Sequence, residues 1–413
     1  MITFKSYLEE AVGTGKNTHM THLDDAVIYG GVEGARQAIN ALRSLRDMLA
    51  GNATSSVDVT VKWDGAPAVF VGIDPTDGKF FVAKKGIFNK NPKVYKTNAE
   101  VDADTSGDLA IKLKVCLAEL PKLGIKGVFQ GDLMFTKSDL KTETIDGEKY
   151  ITFQPNTIVY AVPVNSKSAA ELKRAKMGIV FHTRYSGSSF ETMTASYNVS
   201  LKDFKSTPSV WVQDAQLRDV SGTATLTAAD TAEVTQALSK AGKIFQKIAG
   251  STLREISGNP DLARTIETYN NTFVRANTAI GDTTKHANGL IAYIKAKYQK
   301  EIDARKTDSG KKAQRDKMAE FMKFFSPQNK ANLILMFELQ KALIEAKLII
   351  ISKLNKLNSL STFARTANGF KTTGVEGYVA IDHLSGGALK LVDRLEFSYL
   401  NFSPDILKGW QKT

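Results

Sequence analysis

Strand-like runs recur through residues 57–183, give way near Gly222 to a helical pattern that holds from Thr227 to about Leu357, and return only after Gly369. A chain patterned this way must close its sheets around a helical interruption. The early strands show β-branched alternation and turn signals: 57–61, 68–72, 79–83, 127–135, 150–153, 157–162 and 178–183, with turns at Asp74-Pro75-Thr76-Asp77-Gly78 and Asp146-Gly147. Helical periodicity is read at 24–49, 110–120 and 168–176. In the interruption it recurs at 228–249, 263–279, 287–305 and 328–357, with Asn259-Pro260 and Ser326-Pro327 near helix starts. Two late strands, 375–381 and 388–392, flank the turn Ser385-Gly386-Gly387, and 397–410 reads as an aromatic-rich tail. The expected fold is α+β with antiparallel sheets. Its core spans 12–220 and 365–413, interrupted by an all-α domain over 221–364.

The 413 residues are 42% hydrophobic and 24% charged, the balance of a globular chain with a sizeable core. No apolar run approaches the roughly 18–20 residues of a membrane span, so no membrane partner is expected. The greasy run 348–351 sits in what reads as a lysine-studded amphipathic helix. A single cysteine, Cys116, excludes intramolecular disulfides and cysteine-cluster zinc sites. Of the five histidines only His19 and His22 are closely spaced, and they lack a third ligand nearby. A formal net charge of +12 favours a polyanionic partner, most simply nucleic acid. Lysine-rich faces at Lys240, Lys243 and Lys247, at Lys295, Lys297 and Lys300, and at Lys353 and Lys356 read as solvated surface or as a track for a phosphate backbone.

The chemistry concentrates at Lys62-Trp63-Asp64-Gly65, at a strand end with another strand directly after it. Burial beside cationic groups can lower a lysine amine's pKa enough to make it a nucleophile. Gly65 lets the backbone approach a nucleotide closely, and Asp64 can orient a ribose or the lysine. The plain alternative is a hairpin with a surface lysine. Lys84 and Lys85 end the strand expected to pair with this one, where they can sit over a phosphate or belong to a solvated basic loop. Asp132 interrupts the apolar run 127–135, a costly place for a carboxylate without a partner. GTGK at 13–16 lacks phosphate-loop spacing and is set aside.

KWDG at 62–65, GD at 131–132 and EGYVA followed by LK across 376–390 stand in an order that resembles the covalent nucleotidyltransferase superfamily of ATP-dependent DNA ligases, RNA ligases and mRNA capping enzymes. The resemblance implies that Lys62 attacks the α-phosphate of ATP to form lysyl-AMP. It implies that Asp132 contacts the ribose, that Glu376 binds Mg²⁺, and that Lys390 holds the α-phosphate. An aromatic side chain is expected on the adenine, either Tyr160 or Phe181, and Lys84 or Lys85 is expected on a phosphate. Ala66-Pro67 replaces an arginine common after the motif, and the last motif has one clear lysine where two are common. The 23 residues after Lys390 are too few for the OB-fold that usually follows in DNA ligases and capping enzymes.

The expected function is therefore ATP-dependent joining of RNA or DNA ends, with RNA favoured. Transfer of AMP to another acceptor stays open. The first eleven residues, with Leu8-Glu9-Glu10 before Ala11, resemble capsid-targeting peptides of T-even-like phages, and the ordinary alternative is an N-terminal helix. The KWDGAPAVF and FQPNTIVYAVP stretches are similar to uncharacterised tailed-phage proteins. Both resemblances imply a place in the host cytoplasm during phage infection or in the virion interior. A non-catalytic basic nucleic-acid-binding protein packaged in a phage head, on a degenerate ligase core, is the alternative.

Overall fold

The computed structural model describes residues 20–51, 57–197, 199–217, 226–357, 360–382 and 388–410. The expected capsid-targeting peptide, 1–11, lies outside the described residues. Helix α1 (Ala26–Leu49) comes first, followed by β1 (Val57–Lys62), β2 (Ala68–Ile73), β3 (Phe80–Ala83) and β4 (Val94–Tyr95). Next are α2 (Asn98–Asp104), α3 (Gly107–Glu119), β5 (Val128–Thr136), β6 (Lys141–Ile145), β7 (Glu148–Phe153) and β8 (Ile158–Pro163). Helix α4 (Lys167–Arg174) leads to β9 (Met177–Ser186), β10 (Thr194–Ser196) and β11 (Val210–Asp214).

The helical interruption contains α5 (Ala228–Lys247), α6 (Gly250–Ser257), α7 (Pro260–Arg275), α8 (Thr283–Asp303), α9 (Asp308–Met322) and α10 (Pro327–Leu354). Pro260 and Pro327 take the first helical turn, where a missing N–H costs nothing. Asn259 and Ser326 cap those helices through Leu262 N (3.1 Å) and Asn329 N (3.2 Å). The chain then adds β12 (Ser361–Thr366), β13 (Gly369–Thr372), β14 (Gly377–Asp382), β15 (Ala388–Leu391) and α11 (Arg394–Phe402).

Among the described residues the strands form three sheets, ordered β1-β14-β15, β10-β9-β5-β2-β3-β4 and β13-β12-β8-β7-β6. The neighbours along these paths are antiparallel; β11 joins β9 in parallel. The fold is thus mixed α and β with antiparallel sheets. One core lies between the six-strand path and α3, around Val69, Phe129, Phe181 and Leu113. A second, around Phe135, Phe153, Tyr160 and Trp211, joins that sheet to the β8 sheet. The largest core is helical, and Tyr378, Ala380, Leu389 and Leu391 of the small sheet pack into it.

Two expected boundaries are corrected. Helix α1 packs on α5, α6 and α10, so it belongs to the helical layer and not to the sheets that follow it in sequence. Strand β12 starts inside the span assigned to the helical domain, because Phe363 and Ala364 pair with Val159 and Ile158 of β8. The helix around 348–351 is also not amphipathic in the expected sense. Helix α10 is buried on most sides, and its Lys347 is 1% exposed. The aromatic tail overlaps α11, which is capped by Asp393 through Leu395 N (3.1 Å) and Glu396 N (3.2 Å).

Candidate active site

The small sheet divides its side chains by strand alternation. Tyr378 and Ala380 enter the helical core, while Val379 and Ile381 line a cleft on the other face. On β15, Leu389 and Leu391 go to the core and Lys390 to the cleft. Lys62 ends β1 opposite Gly377 and also lines the cleft, and Lys390 stands opposite Val379. Glu376, one residue before β14, forms an ion pair with Lys62. A Cβ at Gly377 would come within 2.6 Å of Leu391 O, so the residue after Glu376 has to be small for β14 and β15 to meet. The β15 edge is extended by the chain's first described residues: Lys390 N donates to Thr21 O at 3.0 Å.

The opposite wall comes from the long sheet. Gln130 and Asp132 of β5 and Val180, His182, Thr183 and Tyr185 of β9 line the cleft, with Lys85 beyond β3. His182 Nε2 lies 3.6 Å from Asp132 Oδ2, and its Nδ1 is 2.7 Å from Thr183 Oγ1. Burial, reinforced by the Lys62 charge, holds His182 down at about 4, so the ring is neutral at pH 7. Burial pushes Asp132 up to about 7 against the pull of Lys62, and Glu376 to about 7 against the same lysine. Burial, then repulsion from Lys62, lowers Lys390 to about 8, against the attraction of Glu376.

The motif turn itself is bolted down by Asp64. Its carboxylate accepts from Asn156 Nδ2 (2.6 Å), Thr157 N (2.7 Å), Thr157 Oγ1 (2.5 Å) and Ile158 N (3.0 Å). Its own N–H donates to Tyr160 Oη at 2.7 Å. Asp64 is 3% exposed and turned away from the cleft, so it orients the turn and not a ribose. On the other side Ala66 N donates to Leu133 O (3.0 Å) and Leu133 N to Pro67 O (3.1 Å), tying the turn to β5.

Gly65 is needed for that contact, because a Cβ there would meet Asp132 Cβ at 2.4 Å and Met134 Sδ at 3.0 Å. Gly65→Ala is therefore expected to cost about 1–3 kcal/mol of stability from overpacking. A urea midpoint unchanged from the parent would show that the turn has room to move.

Two further expectations are corrected. Neither Tyr160 nor Phe181 reaches the cleft. Both are fully buried, Tyr160 between Trp63 and Phe153 and Phe181 stacked on Phe204 at 4.7 Å. The rings that line it are Trp63, Tyr185 and Tyr197. Lys84 is tied to Asp104 at 3.2 Å, which also holds Lys93 (2.6 Å) and Tyr95 Oη (2.5 Å); Lys85 is the one that lines the cleft.

A buried ionic cluster that the sequence reading missed stands behind the small sheet. Asp24 accepts from Lys347 Nζ at 2.5 Å and Arg394 Nη1 at 3.0 Å, and Asp25 accepts from Arg394 Nη1 at 2.8 Å. Gln340 Nε2 donates to Asp24 O at 2.8 Å. Burial opposes ionisation of Asp24, but the Lys347 and Arg394 charges override it and hold the carboxyl well below the usual carboxylate range. The cluster joins α10 and α11 to the segment that borders Lys390.

The side chains around the cleft suit a phosphorylated ligand, since Lys62, Lys85 and Lys390 outnumber the one carboxylate that lines it. Among the described residues no group of three or more His, Cys, Asp or Glu could hold a metal by itself. Mg²⁺ commonly takes one or two carboxylates and completes its shell with phosphate oxygens and water, which Glu376 fits. No helix among the described residues is long and apolar enough to cross a membrane. No curated protein and no solved structure matches the chain. A family model does match, over residues 17–405, and the chain belongs to that family, a family of unknown function (DUF6267).

Proposed function

We propose that the protein is an ATP-dependent nucleic-acid ligase working through a lysyl-AMP intermediate on a nucleotidyltransferase-type core, with RNA ends favoured over DNA. The observation that carries this reading is that Lys62 and Lys390 of the small sheet line one cleft, with Glu376, just before β14, paired to Lys62. They come from opposite ends of the chain, and each was singled out by its motif.

In this mechanism the Lys62 amine attacks the α-phosphorus of ATP, a N–P bond forms, and pyrophosphate leaves. Lys390 and Lys85 face the phosphates and stabilise the charge that builds there. Glu376 is the residue that would hold Mg²⁺, which when bound would neutralise phosphate charge. Glu376, the carboxylate paired with Lys62, is placed to accept the proton that the amine gives up as the N–P bond forms. A 5′-phosphate oxygen then takes the AMP from Lys62, and a 3′-hydroxyl displaces AMP to close the strand. The cleft holds about 230 Å³. That is smaller than the roughly 300–1,000 Å³ of pockets that enclose a whole ligand, so the nucleotide keeps one end open to its acceptor.

Incubation with α-labelled ATP and Mg²⁺ followed by denaturing electrophoresis is expected to label a band at 45.1 kDa. No label with ATP, GTP or NAD would favour the packaged, non-catalytic nucleic-acid-binding protein, a reading that the +12 charge suits equally. The pH profile gives a second check. Lys390 is a cation below about 8 and neutral above it, so kcat/KM for ATP in adduct formation is expected to decline above that pH. Lys390→Arg keeps its charge and is expected to lose the decline. A decline that persists in this variant belongs to another group.

A further inference from the structure

Apart from Phe321 and Met322 at its C-terminal end, half-buried against the helical core, helix α9 has little packing reason to exist. Of its fifteen residues it buries Gln314 alone, and its packing is chiefly against α8. A helix polar nearly all round is not held by an apolar stripe. What it carries is charge: residues 295–323 hold ten lysines and arginines against five acids. Arg305 and Lys306 in the connecting loop, with Lys311, Lys312, Arg315 and Lys317 on α9, form no ion pair among the described residues.

Three of the five acids are occupied within the hairpin. Glu301 accepts from Gln314 Nε2, Asp303 from Gln299 Nε2 at 2.7 Å, and Glu320 pairs with Lys323 at 2.5 Å. Tyr298 against Phe321, with centroids 5.8 Å apart, holds the two helices together as one arm.

We infer that the α8–α9 hairpin is the docking arm for the nucleic-acid strand, gripping its phosphate backbone without reading sequence. Cations gathered on an arm, in twofold excess over its acids and with most of those acids in internal bonds, complement a polyanion and release its counterions on contact. That the polyanion is nucleic acid rests on the ligase reading; the concentration of charge does not.

The test uses the full chain and a fluorescein-labelled RNA oligonucleotide, followed by anisotropy over a salt series without ATP. The triple variant Lys312→Gln, Arg315→Gln and Lys317→Gln, all exposed positions, is compared with an equal-charge control on α4: Lys167→Gln, Lys173→Gln and Arg174→Gln. The arm variant is expected to bind at least tenfold more weakly at low salt. Its log K against log salt slope should be shallower by roughly 2, at about 0.7 per phosphate contact on a single strand. The control should keep the parent's affinity, and both variants should still form the labelled adduct.

Equal weakening in arm variant and control would reduce the effect to net charge and overturn the arm, as would unchanged binding in the arm variant or no binding by the parent. Failure of the ligase reading has a different signature: RNA binding that depends on the arm, in a parent chain that never takes label from ATP.

Discussion

Lys62→Ala is expected to abolish labelling of the chain by α-labelled ATP while leaving it folded. Removing the nucleophile of a covalent mechanism costs on the order of 10⁶ in rate, which puts the band below detection. The fold should survive, for a specific reason. Glu376 loses its ion-pair partner, but burial has already raised its pKa to about 7, so it takes up a proton instead of remaining a stranded charge. Lys62→Arg makes the test sharper, because it keeps a cation against Glu376 yet offers no comparable nucleophile. Label in either variant would put the nucleophile elsewhere, with Lys390 the next residue to replace.

Lys347→Met is expected to be the most destabilising single change, at about 3–5 kcal/mol, because it strips a partner from a buried carboxylate. That is a large share of the roughly 5–15 kcal/mol that holds a typical domain together. Lys347 and Asp24 are 1% and 2% exposed, so water cannot take over the lost bond. Asp24→Asn combined with Lys347→Met should recover much of the loss, since the charge that needed the lysine is gone. Urea denaturation of the two single variants and the double gives the coupling directly. A single-variant loss below about 1 kcal/mol would mean that Arg394 alone suffices for Asp24.

The candidate cleft was legible where its residues announce themselves locally. Lys62, Glu376 and Lys390 each end or interrupt a strand pattern, and their order along the chain suggested that they belong together. Tyr160 and Phe181 misled because the choice depends on which face of a strand borders the cleft, and that is decided by the sheet packed behind it. One step along β9 from Phe181 stands His182, on the cleft side. Its signal was faint but present, since a histidine flanked by Phe181 and Thr183 in an apolar strand needs a polar partner. Lys347 was harder still. A lone lysine on a helix reads as solvated surface unless its buried anion is known, and Asp24 lies at the other end of the chain. Strand β6 escaped notice because its sequence Lys-Thr-Glu-Thr-Ile buries only Ile145, as an edge strand can.

The three-strand sheet has a consequence for how the molecule is made. Its first strand leaves the ribosome early, whereas β14 and β15 emerge after the whole helical layer has been synthesised. Until then Lys62 has no Glu376 to meet, and one face of the helical core lacks Tyr378, Leu389 and Leu391. Closing such distant strands is slow, because the loop entropy is lost before any contact repays it. On the lysyl-AMP reading, a nascent or truncated chain ending before Gly377 would therefore be silent towards ATP, and taking up the label would mark a chain that has finished both synthesis and folding.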